Sequence, residues 1–225
     1  MNTSQLISHI ESALVEASNS NNALKMSAYM KNRFPFYGIK APLRTAILRP
    51  LWQQEQASIK EHIRALSSEL WTKDHRECQM VAMELMGKCK KGYSEADLLH
   101  LESLITTKSW WDTVDFIATT MIGHILKDRL NLARSKALEY MNSDNMWLQR
   151  TALIFQLKYR QQTDEALLYE LIPMTFGSTE FFINKASGWA LRQHSKLNPM
   201  SVATFIAEHR PNLAKLTIKE GSKYL

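Results

Sequence analysis

The sequence predicts an all-α fold, and three observations carry that prediction. Apolar residues recur about every 3.6 positions through nearly the whole chain. No run alternates with period two between turn signals, as a half-buried strand does. Seven glycines and six prolines in 225 residues are too few for a loop-rich or all-β chain. Eleven methionines and many Leu and Ala residues suit helices as well. The length fits one large domain with a real core, expected to span residues 1–225.

The elements follow in order. Leu6, Ile10, Ala13, Leu14 and Ala17 make a first stripe, with Thr3 or Ser4 placed to cap it. After the polar break Asn19–Asn22, a second helix runs through Met26, Tyr29 and Met30 and ends near Pro35-Phe36-Tyr37-Gly38. Pro42 opens a third, carrying Leu43, Ile47, Leu48 and Leu51. Ile59, Ile63, Leu66 and Leu70 form another, as do Cys78, Val81, Ala82, Leu85 and Met86. Further stripes run through Leu98, Leu101 and Leu104, then over Val114–Leu126, Leu132–Met141 and Trp147–Tyr159. The last four cover Asp164–Ile172, Glu180–Ser195, Ser201–His209 and Leu213–Tyr224.

A repeat runs through these stripes. Trp71, Trp111, Trp147 and Phe182 each read as the start of the second helix of a pair, separated by 40, 36 and 35 residues. That spacing belongs to two-helix units of the HEAT type. A charged residue follows each aromatic: Arg76, Asp115, Arg150 and Lys185. Second helices line the concave side of such a solenoid, so a recurring charge there builds a groove surface. Incidental solvent charges beside a register of core aromatics would look the same.

The net charge is +6, and five of those charges fall between Lys185 and Leu225. A basic end points to a polyanionic partner, although charge alone fits a solvated face equally well. Cys78 and Cys89 sit in apolar helical contexts and read as reduced core residues. No secretory leader and no membrane-spanning run is visible, so a soluble cytoplasmic protein without a membrane partner is expected. The chain has no Gly-rich phosphate loop, C-x-x-C, H-E-x-x-H or G-x-S-x-G, and its seven histidines lack metal-ligand spacing. No metal and no cofactor is therefore expected, and serine-type hydrolysis is excluded.

What remains is a tryptophan–acid set. Trp111 and Asp115 are four residues apart and share a helix face, while Asp112 points elsewhere and suits a cap. A carboxylate beside an indole face attracts positive charge. Trp189 supplies a second aromatic wall, and Arg150 and Arg192 suit phosphates, which favour a forked, permanent cation. By themselves the same residues also read as core tryptophans and an aspartate paired with a lysine.

Several blocks in the chain resemble the AlkD family of bacterial alkylpurine DNA glycosylases. They are Tyr29-Met30-Lys31-Asn32-Arg33-Phe34-Pro35-Phe36-Tyr37-Gly38-Ile39, Lys108–Asp115, Trp147–Ala152, Asn184–Arg192 and Glu220-Gly221-Ser222-Lys223-Tyr224-Leu225. The resemblance implies a right-handed superhelix of HEAT-like repeats whose basic concave face cradles duplex DNA. It implies Asp115 as the catalytic aspartate, with Trp111 and Trp189 as site tryptophans. Tyr29 falls near the lesion, Arg150 on the arginine of the next repeat, and Gln156 and Arg192 on positions facing the DNA backbone. Lys185 joins them as a groove cation. The implied activity is hydrolytic removal of cationic N3- and N7-alkylated purines from duplex DNA, without base flipping, by a monomer. The alternative is a catalytically silent relative that binds damaged or structured DNA.

Overall fold

The computed structural model describes residues 1–225 throughout. Every regular element is helical. The chain divides into two compact units, Met1–Gly92 and Tyr93–Leu225.

In the first unit, α1 (Thr3–Glu16) is capped by Asn2 rather than by Thr3 or Ser4. The Asn2 side chain accepts from the Gln5 amide, and the Gln5 side chain accepts from the Asn2 amide, each at 2.9 Å. This reciprocal box satisfies two orphan donors at once. Asn19 caps α2 (Ser20–Tyr29) with a single bond, its side chain accepting from the Asn22 amide, so the expected polar break is largely the first turn of a helix.

The next two expected helices run as one kinked element, α3 (Ala41–Thr72), with Pro50 inside it and non-helical backbone at Glu55. Pro50 withdraws one backbone donor from the ladder. Glu55 is held at the bend by Ser58 and the N-terminal ammonium, at 3.0 and 2.8 Å. Then comes α4 (Arg76–Cys89). Leu6, Ile10 and Leu14 of α1, Ile59, Ile63, Leu66 and Leu70 of α3, and Val81 and Leu85 of α4 make this core.

The loop between α2 and α3 is tied down by one buried carboxylate. Glu77 accepts from the amides of Tyr37, Gly38 and Ile39 at 3.0, 2.8 and 3.0 Å. Gly38 is obligatory there: its φ is +88°, and a Cβ would lie 2.0 Å from the Asn19 carbonyl oxygen.

In the second unit, α5 (Leu98–Thr106) precedes α6 (Trp111–Phe116). α6 continues through a π-helical stretch, Ile117–Ile122, into α7 (Gly123–Leu126). The Thr119 hydroxyl donates to the Asp115 carbonyl at 2.7 Å at the start of that stretch. Gly123 lets the Phe155 carbonyl approach so closely that a Cβ would sit 2.5 Å from its oxygen. Next come α8 (Leu130–Met141) and α9 (Met146–Ile154), the latter ending in a 3₁₀ turn at Phe155–Lys158. α10 (Glu165–Leu171), α11 (Phe181–Ser195), α12 (Pro199–His209) and α13 (Lys215–Gly221) complete the chain. No helix is long and apolar enough to cross a membrane.

The repeat is more regular than the aromatics suggest. Helices α4, α6, α9 and α11 begin at Arg76, Trp111, Met146 and Phe181, a constant step of 35 residues. Trp71 is out of this register, because it lies buried in the last turn of α3, before the loop rather than after it. Arg76 is correspondingly not a groove charge. It is fully buried, with its guanidinium 4.0 Å from the Phe34 ring centroid. Met80 is the true counterpart of Asp115, Arg150 and Lys185, each the fifth residue of its helix.

Candidate active site

Three aromatic rings bring the starts of α6, α9 and α11 together. Trp110, in extended backbone just before α6, meets Phe182 edge-on at 5.1 Å and Trp147 at 5.8 Å, and those two lie 4.9 Å apart. Such edge-to-face packing adds to the area these rings bury. Trp110 was the residue that sequence reasoning passed over. Its signal was the Trp-Trp doublet: side chains of neighbouring residues entering a helix point in different directions, so only one joins the core. Trp110 is buried, and Trp111 is left half-buried at the first position of α6.

One turn further along, Asp115 and Arg150 form a two-pronged pair. Arg150 Nε donates to Asp115 Oδ1 at 2.7 Å and Nη2 donates to Oδ2 at 2.8 Å. The remaining arm, Nη1, donates to the Phe182 carbonyl at 2.7 Å, so one guanidinium ties α6, α9 and α11. The Arg150 side chain is only 4% exposed, whereas Asp115 keeps 17%. Burial pushes the Asp115 carboxyl above its ordinary value; the Arg150 hydrogen bonds and charge oppose that rise, and nearby Asp112 adds to it. A carboxylate offers about four lone-pair positions, of which Arg150 takes two. The result is an oriented carboxylate, raised in basicity, with its outer edge towards solvent. The pair lies immediately before the π-helical stretch, a distortion that often marks functional sites.

Arg150 was expected to grip phosphates, and its guanidinium is directed at Asp115 and the Phe182 carbonyl. All three of its nitrogens are engaged within the protein and almost none of its surface is open. Gln156 is likewise turned inward, its Oε1 accepting from the Asp164 amide at 2.8 Å.

A second cluster surrounds Glu220. Its buried carboxylate meets Lys185 at 2.7 Å, Arg192 at 2.8 Å and Lys223 at 3.0 Å. Hydrogen bonding from Lys185, then from Lys223, outweighs desolvation and holds the carboxyl down at about 2. This arrangement requires α13 to lie close against α11, and Gly188 permits it. A Cβ there would stand 2.6 Å from Glu220 Cβ and 2.9 Å from the Thr217 carbonyl oxygen. Lys185 and Arg192 are thus oriented by one acid, with three cations around a single negative charge. Trp189, next to Gly188 on α11, is half-buried. Tyr29 belongs to the other unit, at the end of α2, and is 68% exposed. No three His, Cys, Asp or Glu side chains converge as a metal site needs.

This fold and site define a helical-repeat protein with an acidic, tryptophan-flanked centre and a cationic cluster in the same unit. A family model described as DNA alkylation repair enzyme matches residues 10–225. A solved structure from Enterococcus faecalis, described as a predicted DNA alkylation repair enzyme, is 35% identical. It superposes with a TM-score of 0.85 over 92% of this chain and 96% of its own. No curated protein matches the chain. The chain belongs to the DNA alkylation repair enzyme family.

Proposed function

We propose that the protein is a DNA glycosylase that removes cationic N3- and N7-alkylated purines from duplex DNA and leaves an abasic site. The observation that carries this reading is the Asp115 carboxylate: clamped by Arg150, raised in basicity by burial, and one helical turn from Trp111.

In the reaction, the bond between the sugar's anomeric carbon and the purine nitrogen breaks, and its electron pair neutralises the base's positive charge. No proton donor to the leaving group is needed, because alkylation has already charged it. Positive charge develops on the deoxyribose. Asp115 and the faces of Trp111 and Trp189 stabilise it, an effect greatest where water is excluded. A water held by Asp115 adds to the anomeric carbon and gives its proton to the carboxylate. Lys185 and Arg192 contact backbone phosphates from the Glu220 cluster. Base flipping into a pocket, the usual glycosylase strategy, plays no part.

A second reading rests on the same pair. Because both Asp115 oxygens already accept from Arg150, the pair also suits a purely structural tie in a non-catalytic DNA-binding protein. Base release from alkylated duplex DNA separates the two. The unchanged protein should release alkylpurines and a folded Asp115→Asn variant should bind DNA without releasing them. DNA binding with no release by either protein would leave the non-catalytic reading.

A further inference from the structure

We propose a phosphate-binding site in the first unit, in the cleft between the C-terminal half of α3 and the end of α4. Lys60, Arg64, Lys88 and Lys91 line it around Cys89 and Gly92, and no Asp or Glu is among its lining residues. The cleft encloses about 260 Å³, room for a group of one or two phosphates. It shares no residue with the Asp115–Arg150 pair or the Glu220 cluster.

The ammonium groups of Lys60, Lys88 and Lys91 repel each other in one cleft, and surface water screens that repulsion only in part. Elsewhere in this chain such crowding is relieved by a carboxylate, as at Glu220. For Lys60 and Lys88 an aromatic ring takes that place. Lys88 Nζ lies 5.0 Å and Lys60 Nζ 6.0 Å from the Trp52 ring centroid, so two ammonium groups from different helices are drawn to one indole. Arg64 is anchored too, its Nη2 donating to the Gly92 carbonyl at 2.9 Å.

The floor of the cleft points the same way. Burial raises the Cys89 thiol, while Lys60, Arg64 and Lys88 each pull it down, so three of the cations act on one point. A multiply charged anion seated there relieves the repulsion and accepts charge-assisted hydrogen bonds from ammonium and guanidinium groups. A single carboxylate would leave most of the positive charge uncompensated. Phosphate is the chemistry that fits, supplied either by a nucleic-acid backbone or by a free phosphate compound.

The test uses the full chain, a Lys60→Gln/Lys88→Gln/Lys91→Gln variant, and a control with Lys25, Lys31 and Lys40 changed to Gln. All six lysines are exposed, so each protein should fold. One arm titrates sodium pyrophosphate by calorimetry, and the other follows binding of an undamaged duplex oligonucleotide against salt. The cleft variant should lose pyrophosphate affinity by about tenfold or more relative to the control. If the duplex supplies the phosphate, the slope of log K against log salt should also fall by roughly 0.9 for each phosphate that is no longer neutralised. A weaker pyrophosphate affinity with an unchanged slope assigns the site to a free phosphate compound. Cleft and control variants that match in both arms overturn the proposal. Neither arm reads base release, so failure here is distinct from failure of the glycosylase reading.

Discussion

Asp115 and Arg150 stand 35 residues apart, one full repeat, and meet through two parallel hydrogen bonds of 2.7 and 2.8 Å. The same step separates Lys185 from Glu220, which meet at 2.7 Å. At these two steps, residues one repeat apart carry opposite charges and pair across the helix interface, whereas Arg150 and Lys185, at the step between them, are both cations. Each pair has a local effect: the first orients a carboxylate and the second orients cations.

Removing Arg150 strands a largely buried carboxylate. Arg150→Ala should lower the unfolding free energy by about 3 kcal/mol, towards the low end for buried pairs because Asp115 keeps some solvent contact. Denaturant melts measure this. Arg150→Lys keeps the charge but not the fork, and should retain more stability than activity in a base-release assay.

If Asp115 must be ionised to act, base release should rise with pH along an acid limb whose midpoint lies above the ordinary aspartate value of 3.8. Burial is the chief cause of that displacement and Asp112 adds to it. Asp112→Asn should therefore move the limb to lower pH. A limb that stays in place in a single-turnover pH profile contradicts the assignment of that limb to Asp115.

Glu220 has the opposite sign. Its folded-state value of about 2 lies below the ordinary 4.5. The stability it contributes is present above 4.5 and is lost as pH falls towards 2. Urea unfolding across that window should show a steeper decline for the unchanged protein than for Glu220→Gln. At neutral pH the variant should also bind duplex DNA less tightly, because Lys185 and Arg192 lose their common anchor.

Gly188 and Gly92 make an internal contrast. Gly188→Ala drives a methyl group into Glu220 and Thr217 and should cost about 1–3 kcal/mol by thermal or chemical melting. Gly92 has open space around its Cβ position, and Gly92→Ala should be close to neutral. Equal losses at both would show that α11 and α13 have slack between them.

Much of the fold was legible because helix is written locally. Apolar stripes at a 3.6 period marked nearly every element, and the repeat was visible from Trp111 onward, with Trp147 and Phe182 each the second residue of its helix. The register failed at Trp71 because a buried aromatic beside a loop looks alike on either side of it. The break expected between Leu51 and Ile59 proved to be a bend in α3, since helical hydrogen bonding resumes after Pro50 and Glu55. The cap of α1 was missed by one residue. Asn, Thr and Ser in a row all suit that position, and the Gln5 side chain chose Asn2.

An all-helical chain, its two-helix rhythm and the shared face of Trp111 and Asp115 are all legible locally, because each depends on residues a few positions apart. Which groups the cations meet depends on packing between distant helices. A helix stripe carrying Arg150, Lys185 or Arg192 reads the same whether its partner is a phosphate or a carboxylate on the next helix. Packing of α9 on α6, and of α13 on α11, brought Asp115 and Glu220 to them from 35, 35 and 28 residues away. Such separations leave no local mark in the chain, and the burial that makes the pairs matter exists only once the helices have closed on each other.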